Sequence, residues 1–256
     1  MTTSAPIWMG CDVLICADDF AYNASCSKAI AQLAAAGIIQ ATSAMVLSPR
    51  WAQDAPSLHP LRGKVSVGLH LDWTSEYAVA AGHGRSLVAA MAHAWFSGFN
   101  VEEARKVIAK QLDLFEAQWG AAPDHIDGHQ HVQQFAGIRE ALVLEMAQRY
   151  PAVKPWLRIS NPGPGNLSLK TTVIGAMGAL RLETLALQER IPVRTHLSGM
   201  YNFSGGAAHY RELLIGWKQT APLGSVIMCH PAISAEKGDS IGPARVWEYE
   251  VLVSDA

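Results

Sequence analysis

About seven times along this chain a short, nearly all-apolar run stops at a polar residue and gives way to helical or irregular sequence. The first run, Asp12-Val13-Leu14-Ile15-Cys16-Ala17, reads as a strand covered on both faces, and it ends in two carboxylates, Asp18 and Asp19. From Asn23 to Ala36, Cys26, Ile30, Leu33 and Ala34 fall at helical spacing, and Gly37 stands where a left-handed cap belongs. The alternation continues through candidate strands at Thr42–Leu47, Val65–Leu71, His125–Asp127, Trp156–Ser160, Ile191–His196 and Ser225–Cys229. Repeated strand-then-helix order favours a parallel sheet. The expected fold is therefore α/β: an irregular (β/α) barrel of about seven parallel strands, with an open doubly wound sheet second.

The clearest helix spans Val101 to Trp119, where Val101, Ala104, Ile108, Leu112, Phe115 and Trp119 step by three or four residues, with Asn100 and Glu103 placed as a capping box. Weaker helical patterns cover Gly137–Arg149 and Ala207–Thr220. Asp72–Asn100, Asn161–Gly165 and Gly199–Gly206 fit no minimal barrel element and follow candidate strands, where loops over an active face belong. No linker divides residues 1–256, so one domain is expected.

Composition narrows the partners. With 50% hydrophobic and 16% charged residues the chain is no disordered polymer, and a net charge of −2 supplies no basic field for nucleic acid. A small-molecule substrate is expected instead. Cys11, Cys16, Cys26 and Cys229 form no C-x-x-C pair and read as buried small residues. Met1–Gly10 lacks the pattern of a signal peptide and no apolar run is long enough for a membrane span, which points to the cytoplasm. A homo-oligomer is compatible with the sequence.

The functional signal is positional. Asp18 and Asp19 end the first strand, His70 the third, Asp127, His129 and His131 the fourth, and His196 and His230 the last two. In a parallel barrel all these ends open on one face, so the side chains converge. Neighbours on a strand face opposite ways, so Asp18 and Asp19 should differ in role, one on a metal and one free as a base; His129 and His131, two apart on extended chain, can address one site. A carboxylate and two imidazoles with open positions suit zinc or another first-row divalent ion, which makes hydroxide available near neutral pH. His59, His83, His93 and His209 lack such placement and read as surface or packing residues.

At these residues the chain resembles the YdjC/ChbG family of carbohydrate deacetylases, through Ala17-Asp18-Asp19-Phe20, Gly68-Leu69-His70-Leu71, His125-Ile126-Asp127-Gly128-His129-Gln130-His131 and Met228-Cys229-His230-Pro231. The resemblance covers residues 12 to 232. It implies a (β/α) barrel that hydrolyses an N-acetyl group on an amino sugar or oligosaccharide with one divalent ion, magnesium or zinc. By position, Asp19, His70 and His129 are the implied metal ligands, Asp18 the general base for the activated water, and His230 the general acid for the departing amine. Asp127 or a backbone carbonyl is expected to fix the tautomer of His129, and Arg158 to orient Asp18, to bind substrate or to form a structural salt bridge. His131 and Trp73 are implied at the substrate or just behind it; Trp73, Tyr77, Trp95 and Phe96 are either sugar platforms or loop packing, as are Tyr201 and Phe203. Two positions depart from the family pattern: Ala21 where a glycine commonly follows Asp-Asp-Phe, and Gln133 where a histidine is frequent. The alternatives are a metal-dependent hydrolase of a phosphoester or cyclic amide, which calls for a second metal or extra basic contacts near the mouth where the sequence offers only Arg158 and Arg194, and a catalytically idle sugar-binding barrel.

Overall fold

The first apolar run becomes β1 (Val13–Phe20), which continues past both carboxylates to Phe20. In the computed structural model, which describes residues 6–163 and 168–255, it is joined by β2 (Ala41–Ala44), β3 (Ser66–Leu71), β4 (His125–Gly128), β5 (Trp156–Arg158), β6 (Val193–Arg194), β7 (Leu197–Ser198) and β8 (Ser225–Cys229). The eight strands form one sheet of order β6-β5-β4-β3-β2-β1-β8-β7, and every neighbouring pair is parallel.

Eight strands replace the expected seven because a further short strand follows the Ile191–His196 run. Val193–Arg194 pairs with β5, while Leu197–Ser198 pairs with β8. Leu197 then donates to the Asn161 carbonyl at 2.8 Å and accepts from the Gly163 N–H at 3.2 Å, so the chain beyond β5 reaches β7 and the barrel is nearly closed. Residues 164 and 165 of the expected loop Asn161–Gly165 lie outside the described residues.

Helices at Ala24–Ala35, Val101–Trp119, Ile138–Arg149 and Gly206–Thr220 sit within a residue or two of the ranges read from periodicity. Asn100 caps the Val101–Trp119 helix by accepting the Glu103 N–H at 3.0 Å, and Gly120 (φ 73°) ends it in the left-handed region. Its stripe of Ala104, Ile108, Leu112, Phe115 and Trp119 is buried, and each of the larger side chains contributes roughly 1.5–3 kcal/mol on leaving water. Among the described residues no helix is long and apolar enough to cross a membrane. Asp72–Asn100, expected as loop, instead holds helices at Glu76–Ala80 and Leu87–Phe96, and further helices occur at Leu169–Ala176, Ala179–Gln188 and Gly242–Ser254.

Polar side chains also enter the barrel at the start of the strands, the end away from the mouth. His125 stacks on Trp156 with centroids 4.3 Å apart and shares a 2.8 Å hydrogen bond with Ser66. Gly68 makes room for it, since a Cβ there would lie 2.4 Å from the His125 ring.

Candidate active site

Strand alternation alone would send Asp18 and Asp19 to opposite faces. The backbone prevents this: Asp19 and Ala21 adopt left-handed φ of 68° and 69°, and the β1/β2 register shifts between Ala17 and Phe20. Both carboxylates therefore line one cavity of about 380 Å³ at the C-terminal mouth of the barrel, together with His70, His129, His131 and His230. Ala21 pays the steric cost that a glycine would escape.

Around Asp19 the geometry is that of a ligand set. Its Oδ1 lies 3.1 Å from His129 Nδ1 and 3.5 Å from His70 Nε2, while its Oδ2 accepts from Arg245 at 2.7 Å. The three ligating atoms of Asp19, His70 and His129 all fall within 4.8 Å of one another. The other nitrogen of His70, Nδ1, lies 2.6 Å from Asp127 Oδ1 and 3.0 Å from Ser43 Oγ. With its proton committed to Asp127, neutral His70 aims a lone pair at the Asp19 carboxylate, two acceptors facing each other. A cation between them resolves that conflict. Without one, burial lowers the His70 pKa but Asp127 outweighs it and lifts the imidazole to about 9, so a proton serves as the positive charge.

Asp18 is held differently. Arg158, itself fully buried on β5, grips both Asp18 oxygens at 2.7 Å each and reaches Asp127 Oδ2 at 3.1 Å. Burial would raise the Asp18 pKa, yet the guanidinium prevails and keeps the carboxyl well below the usual range, so Asp18 is ionised and held in one orientation. Asp19 is likewise depressed against the effect of burial by Arg245 and His129. His230 Nε2 lies 4.0 Å from Asp18 Oδ2, and burial pushes its pKa down to about 4, leaving it neutral at pH 7. Asp18, Asp19 and Asp127 face two guanidiniums, Arg158 and Arg245, so with neutral imidazoles this group of five carries one excess negative charge, which suits a divalent cation.

Several expectations require revision. His129 and His131 do not share a strand: β4 stops at Gly128, and a tight turn follows in which Gln130 and His131 take φ of 54° and 64°. His131 consequently turns to Ser160, 2.9 Å from its Nδ1, and stays outside the ligand group, although it still lines the cavity. Asp127 contacts His70 rather than His129. Trp73 is 2% exposed, packs against His83 and Phe99, and is not among the lining residues; Tyr77, Trp95 and Phe96 are also absent from the wall. His196 does not line it either. Gln133 is buried and bonds the Arg158 carbonyl and Ser160, so its position touches the site's underside, not its rim. Arg194 binds the carbonyls of Cys11, Asp12 and Ser225, where β1 and β8 begin, at the opposite end from the mouth.

Two site residues escaped the sequence reading. Arg245 and Glu248 stand one turn apart on the Gly242–Ser254 helix; the first bonds Asp19 and Asp239, the second accepts the His230 backbone N–H and, at 2.8 Å, the Tyr201 hydroxyl. Their i, i+3 spacing behind Gly242-Pro243, a helix start signal, was the available clue.

The sequence profile of the YdjC-like protein family matches residues 12–256. This chain belongs to the YdjC-like family. The matched span includes the Arg245 and Glu248 helix, beyond the motifs first recognised. Among its relatives, a carbohydrate deacetylase of Xenopus laevis is 29% identical over 147 residues, covering 52% of this chain and 47% of that protein. A carbohydrate deacetylase of Enterococcus faecalis is 26% identical over 146 residues, covering 54% and 55%. This YdjC-like chain thus aligns with about half the length of the curated relatives it matches. A crystal structure from Enterococcus faecalis, described as a candidate cellobiose-phosphate cleavage protein, superposes with a TM-score of 0.66 at 20% identity, covering 94% of this chain and 89% of that one, a likeness of fold.

Proposed function

We propose that this YdjC-like protein is a metal-dependent hydrolase that removes the N-acetyl group from an amino sugar, with Asp19, His70 and His129 holding one divalent ion, magnesium or zinc. The observation that carries the reading is the approach of His70 Nε2 and His129 Nδ1 to one oxygen of Asp19, with the opposite nitrogen of His70 anchored on Asp127. The naming of two relatives as carbohydrate deacetylases supplies the substrate class.

When bound, the ion lowers the pKa of a water and polarises the amide carbonyl. That help is needed, because Asp18, depressed by Arg158, is a weak base toward unactivated water. Asp18 takes the proton at Oδ2, and the neutral Nε2 of His230, 4.0 Å away, is placed to receive it and deliver it to the departing nitrogen. Arg158 keeps Asp18 from swinging away, and Asp127 holds His70 in the ligating tautomer. A phosphoester reading loses its two basic contacts, since Arg158 is fully buried with its terminal nitrogens on Asp18 and Asp127 and Arg194 lies at the far end.

Acetate release from a panel of N-acetylated sugars, with and without chelator, tests the proposal alongside calorimetric metal titration. Asp19→Ala and His129→Ala should lose the metal, whereas Asp18→Asn should keep it and lose turnover. Acetate release that survives in Asp18→Asn, or a wild-type protein that binds no divalent ion, refutes the assignment.

A further inference from the structure

The cavity has two unlike sides. Tyr22, Ser75, Glu76 and Asp239 make a polar rim, drawn together by the Tyr77 hydroxyl on the Tyr22 carbonyl at 2.7 Å and by Arg245, which lies over the Tyr22 ring and bonds Asp239. Leu87, Met91, Phe135, Ile174 and Met177 also line the cavity, and they come from three segments tied to one another. The Phe99 N–H bonds the Ala136 carbonyl at 2.9 Å, closing the end of the Leu87–Phe96 helix onto the turn beside Phe135, and Gln134 bonds the Ile174 carbonyl. Lys170, on the same helix as Ile174, is held by the Tyr201 carbonyl at 2.7 Å.

We propose that the substrate carries an apolar chain as its aglycone, seated along this wall of Leu87, Met91, Phe135, Ile174 and Met177. The inference rests on the deacetylase reading for the reacting end alone. Oligosaccharide sites favour aromatic faces and polar fringes, yet none of the described tryptophans lines this cavity, in a chain that has 8; its aromatic rings are Tyr22, Phe135 in the apolar wall, and Phe203 edge-on to His230 at the reacting end. Four of the chain's 8 methionines do, Met91, Met177, Met200 and Met228. Thioether side chains adapt to flexible apolar ligands and offer a sugar hydroxyl almost nothing. The apolar character also continues outward on the two helices that bear Met91 and Ile174: Val88, Phe96 and Leu169 are 78%, 86% and 84% exposed. A chain longer than the cavity therefore has apolar surface to follow as it leaves.

The test uses the full-length protein with octyl and methyl β-glycosides of N-acetylglucosamine, kept below micelle-forming concentration, and N-octanoylglucosamine as a third probe. Binding is read by calorimetry and acetate release by kcat/KM. Each methylene removed from water improves binding by about fourfold, so four seated methylenes give the octyl glycoside an advantage on the order of 100-fold. Ile174→Asp should cut that advantage, read as the octyl-to-methyl ratio within each protein, at least tenfold, and the milder Met91→Gln should shift it in the same direction. Equal affinity for octyl and methyl glycosides, a preference for the N-octanoyl probe, or an octyl advantage untouched by both variants overturns the proposal. Octyl preference in binding with no acetate released from any sugar upholds the apolar site and sinks the deacetylase reading.

Discussion

Glu248→Gln isolates the effect of a buried acid at the back of the site. Glu248 is 0% exposed, and burial pushes its pKa up from 4.5 to about 7 against the opposing hydrogen bonds from His230 N–H and the Tyr201 hydroxyl. Its folded pKa is thus above the unfolded one, so the native state binds the proton more tightly. The associated stability is fully present below about pH 4.5 and is lost as the pH rises through 7. At 1.36 kcal/mol per pH unit, a rise from 4.5 to about 7 corresponds to roughly 3 kcal/mol. Glutamine has no charge to expel and avoids that loss. Urea denaturation of wild type and variant across this range, read as the difference between them so that other titrating groups cancel, should show the variant gaining about 3 kcal/mol on the wild type toward high pH. Parallel stability profiles would mean that the carboxylate is solvated or compensated in the native state, and the burial account of this helix would be wrong.

Arg158→Met should cost about 3–5 kcal/mol by stranding Asp18 and Asp127, and adding Asp18→Asn and Asp127→Asn should restore part of it; a triple variant no more stable than the single in denaturant melts refutes the ion-network account. Gly68→Ala drives a methyl to 2.4 Å from the His125 ring, so a loss of at least about 1–3 kcal/mol and a shifted His125 imidazole resonance are expected; a neutral melt counts against the close approach. Ala21→Gly relieves left-handed strain of about 1–2 kcal/mol but frees the unfolded chain and deletes a buried methyl, for a net change within about 1 kcal/mol; a larger loss contradicts the strain assignment.

Those residues also mark where the sequence is readable. The strands announce themselves because fully covered parallel strands must be apolar, and the Val101–Trp119 stripe is plain because its outer face is charged. The convergence of Asp19, His70 and His129 follows from strand ends opening on one face. What stayed hidden depends on single backbone torsions or on partners far along the chain. Nothing in the spacing of His129 and His131 reveals that Gln130 and His131 turn left-handed, which sends the second histidine to Ser160. The Gly242–Ser254 helix was missed because its buried face includes Arg245 and Glu248, charged residues whose tolerance there depends on Asp19, Asp239 and Tyr201.

The bond from Arg245 to Asp19 spans 226 positions of sequence, joining the first strand to the last helix. A folding intermediate that has wound every strand but not yet docked residues 242–254 would leave a bare anion in the barrel mouth and an untethered backbone at His230. The Asp19 and His230 ends of the cluster therefore depend on residues 242–254 being docked, and proteolytic trimming or thermal fraying of that helix should abolish the proposed activity before the barrel itself melts.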